Sequence, residues 1–568
     1  MNRFNKRSLV ALLTVIAAVA ISACGSSSSS SSTASSSATS SAAAPSTATS
    51  SSSKGGTVTL LMGTAPDSLD PQFGYTTQAA EPDWVSYTGL VTYAHANGTA
   101  GGQVIPGLAS ALPTISDGGK TYTATLRTGL MFSNGKPVTA SDFAYTVERA
   151  IKIPWGGSGQ FITAQIKGAT AFANGKAKSI SGITTDNATG KIVIHLNAPY
   201  GAFDNVLAFP ALGIIPTGTP FKNEPNSPPP GVGPYMITNI VPNASFSVVK
   251  NPKWTPIAGI PSGSVNVDVK ISSNVEANAL SVLNNSADLF DWADTIPGSL
   301  LPQIQSQAAD RFKNVDLGGS TYYFFLNSKT KPFSSQLARE AVVTGLNQDA
   351  LNRLGSGTLV PACYFLPPAV PGHPSAPCPY GTPGLGNLAK AKALVKQSGM
   401  EGQPVTVWSE TRTPRQQWAT YYTSFLNSIG FKATQKVIAD ATYFTTIGNL
   451  KLNPQTGFAD WNQDFPNPID FYLLLSAAAI LPTNNQNFGQ VNDSKINAGV
   501  NTLGQVPTSQ LNSILPKWQA LDEYVAKEAY VAVFGYQTFP KFTSNRINYS
   551  AAIFQPVYGW DFTSFQLK

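Results

Sequence analysis

Charge is scarce in this chain. Only 12% of its 568 residues are Asp, Glu, Lys or Arg, and it has three histidines and three cysteines. The scattered imidazoles of His95, His195 and His373 show no metal-ligand spacing, and no HExxH, CxxC or phosphate-loop pattern stands in for them. Gly156-Gly157-Ser158-Gly159 lacks the second glycine at the spacing of a nucleophile elbow. A secreted hydrolase would therefore need a triad built on one of three histidines without a supporting motif. No Lys/Arg cluster with interleaved aromatics is present, which argues against nucleic acid as a partner. Beyond the N-terminus no apolar run is long enough to span a bilayer; Phe471 to Leu481 comes nearest and reads as a core segment.

What the chain does have is glycine (48) and proline (42), with 42% apolar residues, the composition of a globular fold rich in ordered loops. Its length exceeds what one hydrophobic core supports, so two or three lobes are expected. The N-terminus reads as a leader over 1–24: Arg3, Lys6 and Arg7, an apolar run from Leu9 to Ile21, then Ile21-Ser22-Ala23-Cys24. That tetrad resembles the lipobox of bacterial lipoproteins, which implies lipidation of Cys24 after cleavage. Loss of Arg3, Lys6 and Arg7 takes the formal charge from +7 to +4. From 25 to 55 the chain is dominated by Ser, Ala and Thr, too poor in apolar surface to offset its ordering entropy, and reads as a flexible tether reaching about 30 Å.

With Cys24 assigned, Cys363 and Cys378 remain, and an even pair in an exported protein argues for a disulfide. The bridge would close a proline-rich loop and contribute roughly 3 kcal/mol in the chain-entropy model. A metal held by the same cysteines and His373 would lack two further ligands.

Tyr122 to Ile151 organises the rest of the chain. Alternation over Tyr122, Ala124 and Leu126, a Ser133-Asn134-Gly135-Lys136 turn and Thr139 with Asp142 three residues on predict strand, turn, strand and a helix opened by a capping box. Phe143, Val147 and Ile151 give that helix a buried face. Strands are expected at Val265–Ile271, at Thr321–Asn327 and near Tyr530–Tyr536. A strand, helix, strand unit is expected over 405–438, with Asn387 and Gly430 as helix caps. Gly231 and Gly233 permit positive φ and Pro234 fixes the exit, so a sharp rigid turn into a strand from Tyr235 to Ile240 is expected.

Several of these segments resemble one family. Tyr122–Arg127 with Phe132-Ser-Asn-Gly-Lys-Pro-Val-Thr-Ala-Ser-Asp-Phe143, the Gly231-Val-Gly-Pro-Tyr235 turn, Ser68-Leu-Asp-Pro71 and Ile105-Pro-Gly-Leu-Ala109 are similar to the family 5 extracytoplasmic solute-binding proteins of ABC importers. Thr88 and Val232 depart from its pattern. The resemblance implies an α/β, periplasmic-binding-protein-like (class II) fold of two hinged lobes. They would be an N-terminal lobe over 56–320, with an inserted subdomain at about 91–205, a second lobe over 321–530, and a return over 531–568. The two crossings, near Tyr323 and Val533, should lie side by side.

It also implies a lipid-anchored, monomeric, non-enzymatic protein at the outer face of the cytoplasmic membrane. Such a protein needs no cofactor or metal and delivers a solute, here a short peptide, to an importer permease. An oligosaccharide, opine or metal chelate is the alternative solute. Asp460-Trp461-Asn462-Gln463-Asp464-Phe465-Pro466 resembles the family element whose acidic residue pairs with a peptide α-amino group. That role maps to Asp464, flanked by Trp461 and Phe465, though the same carboxylate also reads as a cap on the turn before Pro466. Arg412 and Arg415, opening a helix, could meet a ligand carboxylate or be solvated surface residues.

Overall fold

The computed structural model describes residues 55–568 apart from 154, 316–318 and 484; the leader, Cys24 and the tether up to residue 54 lie outside the described residues. The organising stretch folds largely as its pattern dictates. Thr121–Thr125 is a strand, Gly135 sits at φ 81°, and helix Ala140–Lys152 follows. The Asp142 carboxylate accepts from the Thr139 N–H at 2.8 Å, closing the first turn. Phe143 and Val147 are fully buried, and Ile151 is nearly so. The expected second strand is only a bridge between Met131 and Pro137. Leu130 and Phe132 turn their carbonyls inward onto the Val138 and Gly135 amides, so the segment folds back on itself and joins no neighbouring strand.

Two larger sheets carry the architecture. One is five-stranded, in the order Leu289–Phe290, Gly56–Met62, Val265–Ile271, Ser245–Lys250, Tyr235–Val241. The other is six-stranded: Leu359–Val360, Val531–Gln537, Ser320–Leu326, Thr456–Asn462, Pro404–Glu410, Lys432–Ile438. Pro404–Glu410 and Lys432–Ile438 pair in parallel across helix Arg415–Ile429, which ends at Gly430 with φ 114°. Asn387 caps helix Leu388–Gln397, its side chain accepting from the Lys390 N–H at 2.9 Å. Ser320–Leu326 is buried on both faces, as a central strand of β-rich aromatic sequence should be. Phe324 stacks on Tyr422 at 3.8 Å on one face, while Tyr323 meets Phe365 edge-on at 5.3 Å on the other.

The two sheets are joined by two chain segments running antiparallel. Phe312–Val315 pairs with Phe539–Phe542, and Ser320–Leu326 pairs with Val531–Gln537 with Tyr323 opposite Val533. A bridge from Leu289 to Thr543 ties this ribbon to the five-stranded sheet. A four-stranded antiparallel sheet, Thr114–Ser116, Thr121–Thr125, Lys191–His195, Ile183–Asp186, forms a separate layer.

Gly231 and Gly233 do not adopt positive φ. Instead a Cβ on Gly231 would run into the Ser86 carbonyl, and one on Gly233 into the Val85 carbonyl. The Val232 carbonyl accepts from the Thr88 N–H at 3.0 Å, so these glycines serve a close approach of two backbones. Cys363 and Cys378 form a disulfide. No helix among the described residues is long and apolar enough to cross a membrane.

Candidate functional site

A cavity of about 520 Å³ lies where segments next to the two sheets face one another. Tyr75 and Trp292 come from loops at the five-stranded sheet; Phe444, Asp460, Trp461 and Phe488 come from the six-stranded side. Tyr322 and Phe539, on the joining ribbon, also line it. The size suits a drug-sized or short-peptide ligand, and aromatic walls with a few polar groups are what such sites use. A smaller cavity of about 90 Å³ continues past Tyr75 and Asp464 toward Trp155 and Phe209.

Asp464 is half-buried, and the face it leaves open looks into both cavities. Its carboxylate accepts from the Tyr75 hydroxyl at 2.8 Å. Burial pushes its carboxyl up to about 7, with the Tyr75 hydrogen bond working the other way. The turn-cap role lies elsewhere. Asp470 accepts from the Asp464 N–H at 2.8 Å, and Asn467 accepts from the Ile469 N–H at 3.1 Å at the start of helix Pro468–Tyr472. Burial, then the charge of Asp464, raises Asp470 well above the ordinary carboxylate range, so the two neighbouring carboxyls oppose each other's ionisation.

Trp461, Arg412 and Arg415 line the same cavity. Phe465 does not. It is fully buried, against Phe161 at 5.4 Å and Phe209 at 5.9 Å, because the chain direction reverses at Pro466 and turns this ring into the core. Arg415 is no surface residue. Its guanidinium donates to Glu410 at 2.9 Å and Asp460 at 2.6 Å and lies 4.6 Å over the Phe458 ring. Burial pushes Glu410 up to about 8 against the pull of Arg415. Arg412 is exposed and acts on the carboxyls of Asp294 and Asp440.

Trp292 is held from behind. Buried Lys541 donates to its carbonyl at 2.7 Å, and Glu81, Asp291 and Asp294 surround that ammonium. Burial brings Lys541 down to about 7 against their attraction, while burial first, then the charge of Asp294, takes Asp291 up to about 8.

The histidines serve the fold. His95 Nδ1 lies 2.7 Å from the Asp561 carboxylate with its ring stacked on Trp84. His195 meets the Thr121 hydroxyl at 3.1 Å, and His373 the Leu366 carbonyl at 2.7 Å. No group of metal-ligating side chains occurs among the described residues.

Residues 103–480 match the model of the bacterial extracellular solute-binding proteins, family 5. The chain belongs to this family. It is a family of binding proteins and not of enzymes. Among curated proteins the chain is similar to a probable deoxycholate-binding periplasmic protein of Escherichia coli, 28% identical over 59% of this chain and 62% of that one. It is also similar to the oligopeptide-binding protein OppA of Bacillus subtilis, 26% identical over 56% and 57%. The glutathione-binding protein GsiB of Escherichia coli is 26% identical over 56% and 58%. The match thus spans about six tenths of the length of these curated relatives.

Among solved structures, a clavulanic acid biosynthesis oligopeptide binding protein 2 superposes with a TM-score of 0.82 at 21% identity, covering 91% of this chain and 96% of that one. Haemophilus influenzae OppA in complex with a peptide gives 0.71 at 16% identity, covering 90% and 98%. These likenesses carry the family fold, the α/β periplasmic-binding architecture, over nine tenths of the chain.

Sequence patterns missed Tyr75, Trp292, Phe444 and Phe488. Tyr75 lies four residues beyond Pro71, close enough to the Ser68–Pro71 element to have been suspected; the other three carry no local signal that separates a cavity wall from core.

Proposed function

We propose that this protein is an extracytoplasmic receptor that captures a short peptide and hands it to an ABC importer. Residues 56–320 and 531–568, with a subdomain at about 91–205, would form one lobe and 321–530 the other, swinging on the paired crossings near Tyr323 and Val533. Ligand touching both lobes stabilises the closed form by its differential contacts, and the permease reads that form. Cys24, lipidated, would hold the protein at the membrane through the 25–55 tether as a monomer.

The observation that carries this reading is Asp464 at the cavity wall, held from the opposite side by the Tyr75 hydroxyl. A carboxylate with low water access calls for a cationic partner, and a peptide α-ammonium supplies one, with Trp461 alongside. Relatives named as oligopeptide- and glutathione-binding support the solute class.

The test is Asp464→Asn, with peptide binding followed by titration calorimetry. Loss of one charge-assisted hydrogen bond, about 1.5–3 kcal/mol, should weaken binding about 10- to 150-fold. An Asp464→Asn protein that holds peptides as tightly as the parent removes the amine anchor.

A further inference from the structure

Another cavity, of about 470 Å³, shares no lining residue with the cleft. It lies where the end of helix Gln336–Gly345, the start of helix Gln348–Leu354 and strand Val531–Gln537 face residues 378–387, and both disulfide cysteines belong to its wall. Its volume is that of a small-molecule site, and Leu346, Val531 and Val533 supply apolar wall. Several polar side chains there are already engaged. Gln348 donates to the Ala362 and Val533 carbonyls at 2.8 and 3.1 Å and accepts from the Ala362 N–H at 3.0 Å. Asn387 caps its helix, and the Tyr380 hydroxyl donates to the Lys527 carbonyl.

Two groups are left open. Thr344 is only 2% exposed, yet its hydroxyl has no hydrogen-bond partner, a deficit that a native fold seldom leaves unmet. Asp349 is half-buried, and among the described residues its carboxylate meets neither a cation nor a hydrogen-bond donor. It is the one charged side chain in the wall; no Lys, Arg or His joins it. The last carbonyls of helix Gln336–Gly345 add charge of the same sign. Of the cations near Tyr380, Arg339 is spent on the Glu528 and Phe333 carbonyls, each at 3.0 Å, and on the Tyr530 ring at 4.8 Å. Lys527 is exposed, and neither lines the cavity.

We propose that this cavity is a second binding site, for an organic monocation: an ammonium group on an apolar body. The ammonium donates to the Asp349 carboxylate and the Thr344 hydroxyl, and the body lies along Leu346, Val531 and Val533. The short helix that Asp349 opens offsets part of its charge, so a single positive charge balances the rest. An anion would meet like charge with no cation to receive it. The site stands apart from Asp464 and from peptide capture in the cleft.

The test is hydrogen exchange followed by mass spectrometry on the full-length protein, which reports where a ligand sits. The probe is 4-phenylbutylammonium at about 1 mM, with 4-phenylbutanol and 4-phenylbutanoate as its neutral and anionic counterparts. The amine should slow exchange over residues 380–387 about threefold or more, and the alcohol and acid should leave it unchanged. Asp349→Asn should weaken this protection at least about tenfold and Thr344→Val about three- to tenfold, while Thr344→Ser, which keeps the hydroxyl, stays within about twofold of the parent. Three results would each overturn the proposal: protection by the alcohol or acid equal to that by the amine, no protection over 380–387, or an Asp349→Asn protein protected like the parent. Protection confined to residues 460–465 places the cation in the cleft alone and overturns it too.

Discussion

Arg149 and Asp70 offer the sharpest test of how this fold holds its cleft. Both side chains are fully buried. All five guanidinium donors of Arg149 are engaged: two with the Asp70 carboxylate at 2.7 and 2.6 Å, one with Gln72 at 2.5 Å, and two with the Lys222 and Pro220 carbonyls at 2.7 and 2.8 Å. Asp70 also accepts from the Gln72 and Glu224 amides. The pair ties helix Ala140–Lys152 to the loop that carries Tyr75 into the cavity.

Arg149→Met leaves Asp70 with two backbone donors and no countercharge, and Asp70→Asn leaves a buried guanidinium unneutralised. Each should cost about 3–5 kcal/mol. Arg149→Lys keeps the charge but replaces a planar five-donor fork by three donors, and should cost roughly 2 kcal/mol because two hydrogen bonds of about 1 kcal/mol go unmade. Since both single changes destroy one interaction, the Asp70→Asn/Arg149→Met double variant should fall short of their sum by at least about 2 kcal/mol. Urea denaturation followed by tryptophan fluorescence reads the stabilities, and amide exchange at Phe73 and Gly74, whose N–H groups bond the Asp70 carbonyl, reads the loop. Single variants costing under about 1 kcal/mol, or strictly additive ones, would mean that the network does not hold the Tyr75 loop.

Other outcomes follow from the titrating groups and the close backbone contacts. Asp464 holds a proton up to about pH 7 that must leave before an ammonium binds, while a peptide α-amine loses its own near about pH 8. Affinity should therefore peak between those values and fall about 20-fold from pH 7.5 to 5.5; a flat calorimetric profile would dissociate Asp464 from binding. For stability the sign runs the opposite way. Asp464 and Asp522 at about 7, and Asp291 and Glu410 at about 8, lie above their unfolded values. The native state thus binds more protons between about pH 4 and 8, and these groups lower stability as pH rises through that range. His373, held below its ordinary value by burial, opposes them below about pH 6.5, and Lys541 does so only above about 7. The urea midpoint should be higher at pH 5.5 than at pH 7, and a higher midpoint at pH 7 would refute this. Gly231→Ala and Gly233→Ala should each cost about 1–3 kcal/mol, as overpacking against fixed backbone does; unchanged melting temperatures would show that the Val85–Thr88 contact is not tight.

What could be read from the chain beforehand was whatever local geometry decides. The Asn134-Gly135 turn, the Thr139/Asp142 capping box, the alternating strand at Val265–Ile271 and the helix closed by Gly430 each depend on residues within one or two turns of one another. What could not be read is set at long range. Arg149 meets Asp70 across 79 positions, Arg415 meets Asp460 across 45, and Tyr75 meets Asp464 across 389. Apolarity says that a ring is removed from water but not on which side of a strand end it finishes, so Phe465 went to the core while its neighbour Trp461 lines the cavity. Low charge content helps here. In a chain with so few ionised groups a buried cation is held by acidic partners, as Arg149, Arg415 and Lys541 each are. Asp464, like buried Asp522, has a neutral hydroxyl and no cation beside it, but it alone of the two borders the cavity, and on the proposed function the solute supplies the missing cation.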